Sequence, residues 1–340
     1  MTKRALLLGL SIAGAACGQD GPTAPQPQTL TFGPFELEPG EEMFGDCVSA
    51  ALNNDEPIYV NAVDLVTQSG FHHSNWFWVP ETMFAGPDGV WDCDSRSYDE
   101  VTAGAAGAVL FAQSTQSIIE QQKFPDGIVI PIPPHAKIVS GIHMLNASDS
   151  PLVTGLELTI TPIAPEDVTV KLKTMAMVYE PLALPAQRKS EVSVECDLGD
   201  LHQRLIGTPL DFNVFYSLPH YHSLGRGYEV VAVGGPSGDV VIASSDGMIG
   251  EPLGQNLTPP FNLAGFQKVR FTCKFDNTTS STVRWGIGDG EMCVWQGFTD
   301  SIYKWGGRTA PNGTTQRVDD GDVVHFDHPC DMYGFPVVDP

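Results

Sequence analysis

The stretch PLVTGLELTITPIAPEDVTVKLKTMAMVYE (151–180) holds two segments in which β-branched and other apolar residues recur between polar ones. These segments are Leu152–Ile163 and Val168–Tyr179, and a short piece containing Pro165 and Asp167 separates them. Alternation with a period of two is typical of strands, and Pro, Gly, Asp and Asn are typical of the turns between them. The stretch therefore predicts two strands and a turn, the pattern of a β-sandwich.

The same pattern recurs on both sides of a proline-containing interruption, EPLALPAQRKS (180–190). Before it, further strands are predicted at Pro57–Val66, Ile128–Ile132 and Lys137–Leu145. After it, strands are predicted at Glu191–Cys196, Leu210–Leu218, Tyr228–Ala232, Asp239–Ser244, Val269–Lys274, Thr282–Trp285 and Glu291–Trp295. Residues 103–122 are predicted to form a short helix or a long loop. We expect an all-β protein of two tandem antiparallel, jelly-roll-type β-sandwich domains, the first at 32–182 and the second at 193–340, with a linker at 183–192.

The N-terminus has the layout of a secretory signal. Two basic residues precede the short apolar run Ala5–Ala16, and Cys17 follows small residues. Residues 1–17 are therefore predicted to be a signal peptide, with Cys17 as a bacterial lipoprotein-type lipidation site, although Gly14 stands where that motif usually has Leu. Plain secretion is the alternative. Residues 18–31 are predicted to be a Pro-rich tether.

Net charge and cysteine content limit the binding partners and the cellular compartment that we expect for this protein. The formal net charge is −23, from 41 acidic and 18 basic residues, and such a field repels nucleic acid and anionic lipid. We expect no nucleic-acid partner, and a membrane only through an N-terminal lipid anchor. Without Cys17, six of the seven cysteines remain, and an even number in an exported chain predicts disulfides.

Histidine placement suggests metal binding. His220 and His222 form an H-x-H after an apolar strand, and side chains at i and i+2 point to the same face, where two imidazoles can share one metal. His72 and His73 are adjacent and would point apart in a regular strand. Both can bind one metal only at a bulge, at a strand end or through suitable ring nitrogens, and Gly70 could permit that conformation.

Met292 follows a Gly- and Asp-rich turn and is a candidate soft ligand. A thioether suits Cu(I), and imidazole serves both oxidation states of copper. A set of two His and one Met would therefore favour copper over zinc or magnesium. Core packing is the alternative interpretation of Met292.

Five stretches together resemble the copper type II, ascorbate-dependent monooxygenases, which include the peptidylglycine α-hydroxylating and dopamine β-monooxygenases. The resemblance covers roughly residues 32–335, and its motifs come in the family's order. The stretches are LEPGEEMFGDC (37–47), SGFHHSNWFW (69–78), IVSGIHMLNAS (138–148), FYSLPHYHSLGRGYEV (215–230) and CKFDNTTSSTVRWGIGDGEMC (273–293).

The resemblance implies two copper ions per chain, held by two uncoupled sites that face each other across a solvent-filled cleft. One would be an electron-transfer site in the first domain, with ligands His72, His73 and His143. The other would be the catalytic, oxygen-binding site in the second domain, with ligands His220, His222 and Met292. Ascorbate or a similar one-electron donor would supply electrons, and a small-molecule substrate would be hydroxylated at a C–H bond with O₂.

The resemblance also implies three disulfides, Cys47–Cys93, Cys196–Cys330 and Cys273–Cys293. Departures from the family concern the substrate. Leu218 stands where the peptide-amidating members have an Arg that binds the substrate carboxylate, and Val294 and Gln296 stand in place of an Asn and a Tyr. Peptide amidation is therefore not expected. The tryptophans near the ligand motifs would suit an apolar substrate, but sandwich core is the favoured interpretation; they are Trp76, Trp78, Trp285 and Trp295.

Two other functions remain open from the sequence. One is a non-catalytic copper-binding or copper-handling exported lipoprotein. The other is a sandwich hydrolase or carbohydrate-binding module, for which the acidic pairs Glu41-Glu42 and Asp99-Glu100 are noted but interpreted as solvated turns. The segment HFDHPC (325–330) is interpreted as a surface turn and not as a metal site. Four N-x-S/T sequons, relevant only in a eukaryotic secretory pathway, lie at Asn146, Asn256, Asn277 and Asn312.

Overall fold

The chain forms, in a computed structural model, two β-sandwiches that follow one another along the sequence. The structure describes residues 25–113, 117–247, 253–286 and 290–337. The predicted signal peptide, Cys17 and residues 18–24 of the predicted tether lie outside these ranges. Within the described part, none of the helices has the length and apolar character that a membrane span needs.

The N-terminal sandwich has eleven strands, one helix and two short 3-10 turns at Asp94–Arg96 and Pro165–Asp167. The helix is α1 (Glu100–Ala106). The strands are β1 (Gln28–Leu37), β2 (Glu42–Ala51), β3 (Ile58–Thr67), β4 (Phe71–Pro80), β5 (Gly89–Asp92), β6 (Ala108–Gln113), β7 (Ile119–Lys123), β8 (Ile128–Ile132), β9 (Ala136–Leu145), β10 (Leu152–Pro162) and β11 (Val170–Lys171).

Two sheets of this sandwich enclose one core. One sheet has the order β1-β10-β3-β8-β11, with β7 beside β3, and the other has the order β5-β2-β9-β4-β6. All of these pairs are antiparallel except β8 with β11. Leu156, Leu158 and Ile160 alternate along β10 and are fully buried, which confirms the period-two pattern that predicted this strand.

The C-terminal sandwich has thirteen strands and one helix, α2 (Leu198–Ile206). The strands are β12 (Lys173–Val178), β13 (Ala183–Leu184), β14 (Arg188–Cys196), β15 (Asn213–His220), β16 (Gly225–Gly235), β17 (Gly238–Asp246), β18 (Gln255–Asn262), β19 (Lys268–Asn277), β20 (Val283–Arg284), β21 (Val294–Thr299), β22 (Tyr303–Thr309), β23 (Gln316–Asp320) and β24 (Val323–Pro336).

The long strand β24 joins the two layers of the C-terminal sandwich. Its first half pairs with β14, in the layer β17-β16-β19-β14, and its second half pairs with β22, in the layer β22-β12-β21-β15-β18. The change of partner falls at Cys330, which is bonded to Cys196 at the end of β14. Most pairs are antiparallel; β12 with β22 and β14 with β24 are parallel. The all-β, jelly-roll-type architecture of both domains is as predicted.

The three disulfides of the structure are the three that the family resemblance implied. They join Cys47 to Cys93, Cys196 to Cys330 and Cys273 to Cys293. Such bonds form and persist in oxidising compartments, so they indicate an environment of that kind.

Three sequence predictions about boundaries need correction. The tether predicted at 18–31 ends earlier, because β1 begins at Gln28. The linker predicted at 183–192 consists largely of β13 and β14, and the chain enters the second sandwich before it, through β12. The prolines at 181 and 185 flank β13, where strands tolerate them, and so do not mark a linker. Residues 103–122 hold the end of α1 and two strands, β6 and part of β7.

An apolar contact joins the two sandwiches. Phe215, Tyr216, Leu218 and Phe298 from the C-terminal sandwich belong to the same buried cluster as the N-terminal core. The ring of Phe124 meets those of Tyr216 and Phe298 edge-on, with centroids 5.7 and 5.6 Å apart. Edge-to-face aromatic packing of this kind favours one fixed arrangement of the two domains.

Candidate metal centre

The N-terminal histidines lie on two neighbouring strands. Gly70, with a φ of +75°, leads into β4, and the register of β4 against β9 shifts between Phe71 and His73. This irregularity is a bulge, one of the local conformations that would let the adjacent His72 and His73 face one metal. Beyond the bulge, His73 lies directly opposite His143 on β9.

These three imidazoles form a group that could hold a metal ion. One ring nitrogen from each of His72, His73 and His143 lies within 4.8 Å of the others. Nδ1 of His143 and Nε2 of His73 are 3.1 Å apart. Nδ1 of His72 is buried and has no hydrogen-bond partner among the described residues. A buried ring nitrogen without a partner is costly unless something binds it, and a metal ion would satisfy it.

Glu42 fixes the tautomer of His143. Nε2–H of His143 donates to the Glu42 carboxylate at 2.7 Å, so the lone pair is on Nδ1, which faces the other two imidazoles. A carboxylate behind a histidine is a common way to orient a metal ligand. The sequence interpretation of Glu41-Glu42 as a solvated turn is wrong for Glu42.

The position of Glu42 follows from strand pairing. Glu42 begins β2 and lies opposite Leu145 on β9, two residues from His143 and therefore on the same face of the sheet. The register of β2 against β9 shifts between Met43 and Asp46, where β2 has a bulge. No sequence motif reveals this neighbour, because the register on either side of a bulge cannot be derived from the spacing of residues.

The C-terminal histidines lie at the end of β15. His220 is the last residue of the strand, and His222 follows it after the fully buried Tyr221. Nδ1–H of His222 donates to the carbonyl of Gly290 at 2.9 Å. Its Nε2 is buried and lacks a hydrogen-bond partner in the described part of the chain. This nitrogen is therefore the available ligand atom of His222.

Glu291 ties the segment of Met292 to the segment of His222. Its buried carboxylate accepts from the backbone N–H groups of His222 at 2.8 Å, Leu224 at 2.7 Å and Met292 at 3.2 Å. Burial raises the pKa of Glu291, and these three hydrogen bonds act against that rise. The disulfide at Cys293 anchors the same segment to β19. The predicted ligands His220, His222 and Met292 thus belong to one braced loop region.

The two predicted ligand sets are in contact with each other. The ring centroid of His73 is 5.6 Å from that of His220 and 5.8 Å from that of His222, and the ring of His73 is stacked on that of His222. Within the sets, the centroids of His72 and His143 are 4.7 Å apart and those of His220 and His222 are 5.2 Å apart. The expectation of a solvent-filled cleft between the sets is wrong for this arrangement, because the apolar domain contact brings them together.

We term these five imidazoles the histidine cluster, and the surroundings of three of them favour the neutral form. Burial is the largest cause that lowers the pKa of His73 to about 2, of His220 to about 3 and of His72 to about 4. Neighbouring imidazoles lower them further. Neutral imidazole is the form that binds metal, so at these three residues protons do not compete with a metal ion at neutral pH. Imidazole nitrogen donors suit zinc, copper, iron and nickel.

The three residues that depart from the family pattern lie next to His220 on two paired strands. Leu218 pairs with Gln296, and His220 pairs with Val294, on strands β15 and β21. Leu218 is 3% exposed and packs into the core shared by the two domains. No cationic side chain stands at these three positions, so they offer nothing that would bind a carboxylate.

Of the four tryptophans near the motifs, two are clearly core. Trp76 and Trp295 are fully buried, and their indole N–H groups donate to the hydroxyls of Ser74 and Ser217. Trp78 and Trp285 are partly buried and pack against the same two cores. The interpretation of these residues as sandwich core is confirmed for Trp76 and Trp295.

The remaining histidines lie outside the histidine cluster. His325 and His328 are on strand β24 and not on a surface turn, and a separation of three residues points them to opposite faces. His325 pairs with Glu191 at 3.3 Å. His202 is buried on α2, where its ring packs against Trp305, and His135 is exposed.

Comparison with known proteins adds distant likenesses of fold. No family model and no curated protein matches the chain. Among solved structures it is similar to the Macrobrachium rosenbergii nodavirus at 10% identity, covering 87% of this chain and 96% of that one, with a TM-score of 0.19. It is also similar to the CUB1-EGF-CUB2 domains of rat MASP-1 at 7% identity, covering 82% and 98%, with a TM-score of 0.18. Likenesses at this level carry no argument about function.

Proposed function

We propose that the protein is a copper-dependent monooxygenase that hydroxylates a C–H bond of a small-molecule substrate with O₂ and ascorbate or a similar one-electron donor. The observation that supports this most is the gathering of the histidines. Residues far apart in sequence, chosen by their order in the family motifs, lie together in the histidine cluster, and the Met292 segment is braced against it.

The ligand sets of the proposal are those that the family resemblance implies, and the grouping of His72, His73 and His143 supports the first of them. His72, His73 and His143 would hold one copper ion, and His220, His222 and Met292 would hold the second. Copper, when bound, supplies one-electron exchange and a site at which O₂ is activated. Three protein ligands leave a coordination position open for that purpose.

The protein's own groups prepare both ligand sets. Glu42 accepts the Nε2–H of His143, and the Gly290 carbonyl accepts the Nδ1–H of His222, so each imidazole has its other nitrogen free as a ligand. Glu291 holds the backbone at His222 and Met292 in one place. Ligands that are oriented before metal binding lose less entropy when it occurs, which favours high affinity.

The departures from the family's substrate-binding residues limit the class of substrate. With Leu218 buried in the domain contact, the chain lacks the cation that would hold a peptide carboxylate beside His220. Peptide amidation is therefore not part of the proposal. A substrate without a terminal carboxylate fits the described residues better.

We also propose that the protein is exported. The three disulfides support an oxidising environment, and the basic and apolar N-terminus supports a signal peptide. Lipidation at Cys17 would place the protein at the cell envelope, in the periplasm or on the cell surface. Plain secretion is the alternative.

A second candidate function is copper binding without turnover. Three surface cavities of about 560, 410 and 340 Å³ are lined by residues of the C-terminal sandwich that do not belong to the histidine cluster. The packed rings of the cluster would suit a protein that holds copper and releases it. Ascorbate-dependent O₂ uptake that requires copper and an added substrate separates the two functions, because a copper carrier shows no uptake coupled to a hydroxylated product.

The first test is a count of bound copper. The chain, produced in an oxidising compartment, is loaded with copper, freed of loosely bound metal and measured by mass spectrometry. We expect about two copper ions per chain, and about one in each of His143→Ala and Met292→Ala, because each change removes a ligand from one set. His325→Gln, a change far from the histidine cluster, should leave the count unchanged. A count near zero, or the same count in all variants, contradicts the proposal.

A further inference from the structure

The bulge of strand β2 exposes a phenylalanine beside the first sandwich's histidines. Phe44 and Gly45 together stand against the single residue His143 of β9, and Gly45 has a φ of +94°. The side chain of Phe44 is 60% exposed, more than any other Phe, Tyr or Trp in the described part of the chain. Its ring meets that of His143 edge-on, with centroids 6.4 Å apart. A single exposed apolar side chain is ordinary on a protein surface, but this one lies against a proposed metal ligand.

The segments around Phe44 are acidic. Asp46 pairs with Asp92 across β2 and β5, and the backbone N–H of Cys93 donates to the carbonyl of Gly45. Burial, and then the charge of Asp92, raise the pKa of Asp46, so negative charge is crowded at this edge of the sheet. No Lys or Arg occurs at 37–47, 91–95 or 140–150. The acidic residues of the first two segments, all exposed or partly exposed, are Glu38, Glu41, Glu42, Asp46, Asp92 and Asp94.

This charge selects among electron donors. Ascorbate is an anion at neutral pH, and both the local carboxylates and the net charge of −23 would repel it. A protein with a basic face would be attracted and steered to the same surface. Complexes between electron-transfer proteins bury little area, and interfaces commonly place an apolar centre within a polar rim. An exposed aromatic ring surrounded by carboxylates fits a small contact of that kind.

We propose that Phe44 and these six carboxylates, which we term the Phe44 surface, form the docking site for a basic one-electron carrier protein that reduces the first ligand set. The presence of copper in that set rests on the proposed function. One electron passes from the reduced carrier to Cu(II), no bond forms or breaks, and the carrier leaves oxidised by one electron. The shortest side-chain route from the docked carrier runs by Phe44 to His143.

Binding of a small, lysine-rich c-type cytochrome to the metal-free chain tests the surface without turnover. By calorimetric titration at low salt, we expect Phe44→Ala and Glu38→Lys each to weaken binding about fivefold or more, through loss of an apolar contact and of a charge attraction. Glu166→Lys is the control, because it makes the same change in net charge on an exposed turn beyond the far end of β10, whose first residue pairs with Leu37. It should weaken binding less than about twofold. The same cytochrome with acetylated lysines should not bind.

Electron delivery is followed separately with the copper-loaded chain. Stopped-flow absorbance records the oxidation of the reduced cytochrome, and reduction by ascorbate is measured alongside it. We expect added salt to slow the reaction with the cytochrome and to speed the reaction with ascorbate, because salt screens an attraction in the first and a repulsion in the second. Phe44→Ala should slow the cytochrome reaction and leave the copper count unchanged.

The outcomes separate this inference from the proposed function. Equal weakening by Glu38→Lys and Glu166→Lys, or rates with the two donors that respond to salt in the same sense, overturns the docking site. If the chain still holds about two copper ions, the proposed function stands. A copper count near zero overturns the proposed function, and the calorimetry on the metal-free chain still decides whether the docking site exists. Near-ultraviolet circular dichroism of each variant shows whether its fold is retained.

Discussion

Glu42 acts on the candidate metal centre through another residue. Its carboxylate accepts from Nε2 of His143 and leaves Nδ1 of that ring as the ligand atom. Glu42 is partly exposed, with a side chain 38% accessible, so its effect comes from orientation and not from a buried charge. A residue in this position affects how well the His143 imidazole is oriented for metal binding.

We predict that Glu42→Ala weakens copper binding at the first set by about 10–100-fold, the usual effect of losing a partner that orients a ligand. Glu42→Gln should lose less, because its amide oxygen still accepts the same hydrogen bond. The measurement is a competition titration with a chelator of known affinity. Glu41→Ala is the matched control, since Glu41 accepts from the backbone of Glu38 and not from a histidine. Equal affinities for the Glu41 and Glu42 variants would contradict this role.

At the scale of single residues, the sequence predicted the candidate ligands but not the residues that orient them. The histidines were predicted from residue type, spacing and motif order, which are properties of the chain. Glu42 depends on the register of β2 against β9, and Glu291 depends on a loop that returns to His222. Such neighbours are set by tertiary structure, so the sequence gives no local signal for them.

At the scale of elements, each sandwich contains a turn of the same kind. In the sequence, each of these turns is visible only as an N-x-S/T sequon. The side-chain amide of Asn146 donates to the carbonyls of Leu37, Glu38 and Ser150. That of Asn277 donates in the same way to the carbonyls of Leu184, Pro185 and Ser281. In both, the Asn oxygen accepts from the residue two positions later, through its backbone N–H and its hydroxyl.

This shared turn closes equivalent places in the two domains. Asn146 follows β9 and Asn277 is the last residue of β19; each connects its long strand to the end of an earlier strand, β1 or β13. Asn146 is 2% exposed and Asn277 is not exposed, and every amide hydrogen points to a carbonyl. In the folded protein neither amide nitrogen can carry a glycan, so these two sequons are structural.

We predict that Asn277→Ala lowers the free energy of unfolding by about 3 kcal/mol or more. The change leaves three carbonyls without their donor, and each buried group left unsatisfied costs about 1–3 kcal/mol. Urea denaturation followed by tryptophan fluorescence measures the loss. Asn312→Ala, at an exposed sequon, should change stability by less than about 0.5 kcal/mol. A similar small effect at both positions would show that the turn does not hold the strands.

Strand positions were the part of the fold that the sequence predicted best. Leu152–Ile163 matches β10 to within one residue, because burial of one face imposes a visible period, and Ile128–Ile132 matches β8, which is a short apolar run buried at every position. The linker was wrong because proline marks a break in pairing without saying whether a strand resumes. The helix-or-loop prediction for 103–122 failed to separate a seven-residue helix from the strands that follow it.

At the scale of the whole molecule, the domain contact controls the site. The sequence predicts two sandwiches and two ligand sets, and it contains no measure of the distance between them. That distance is set by apolar residues such as Phe215 and Leu218. The strand pattern predicts that these residues are buried, but it does not predict that they pack against the core of the other domain. The closeness of the ligand sets is therefore a property of the interface, and it should change when the interface is weakened.

Lys304 offers a way to weaken the interface without touching the histidine cluster. It lies on β22 of the second sandwich, and its Nζ donates to the carbonyls of Gly104, Ala105 and Gly107 at the end of α1 in the first. We predict that Lys304→Met lowers the free energy of unfolding by about 1–3 kcal/mol, because buried acceptors at a helix end lose their donor. Urea denaturation followed by tryptophan fluorescence measures the loss. Lys274→Met, which breaks an exposed pair with Asp246, is the control. An equally small effect of both changes would show that the Lys304 contact does not hold the two sandwiches together.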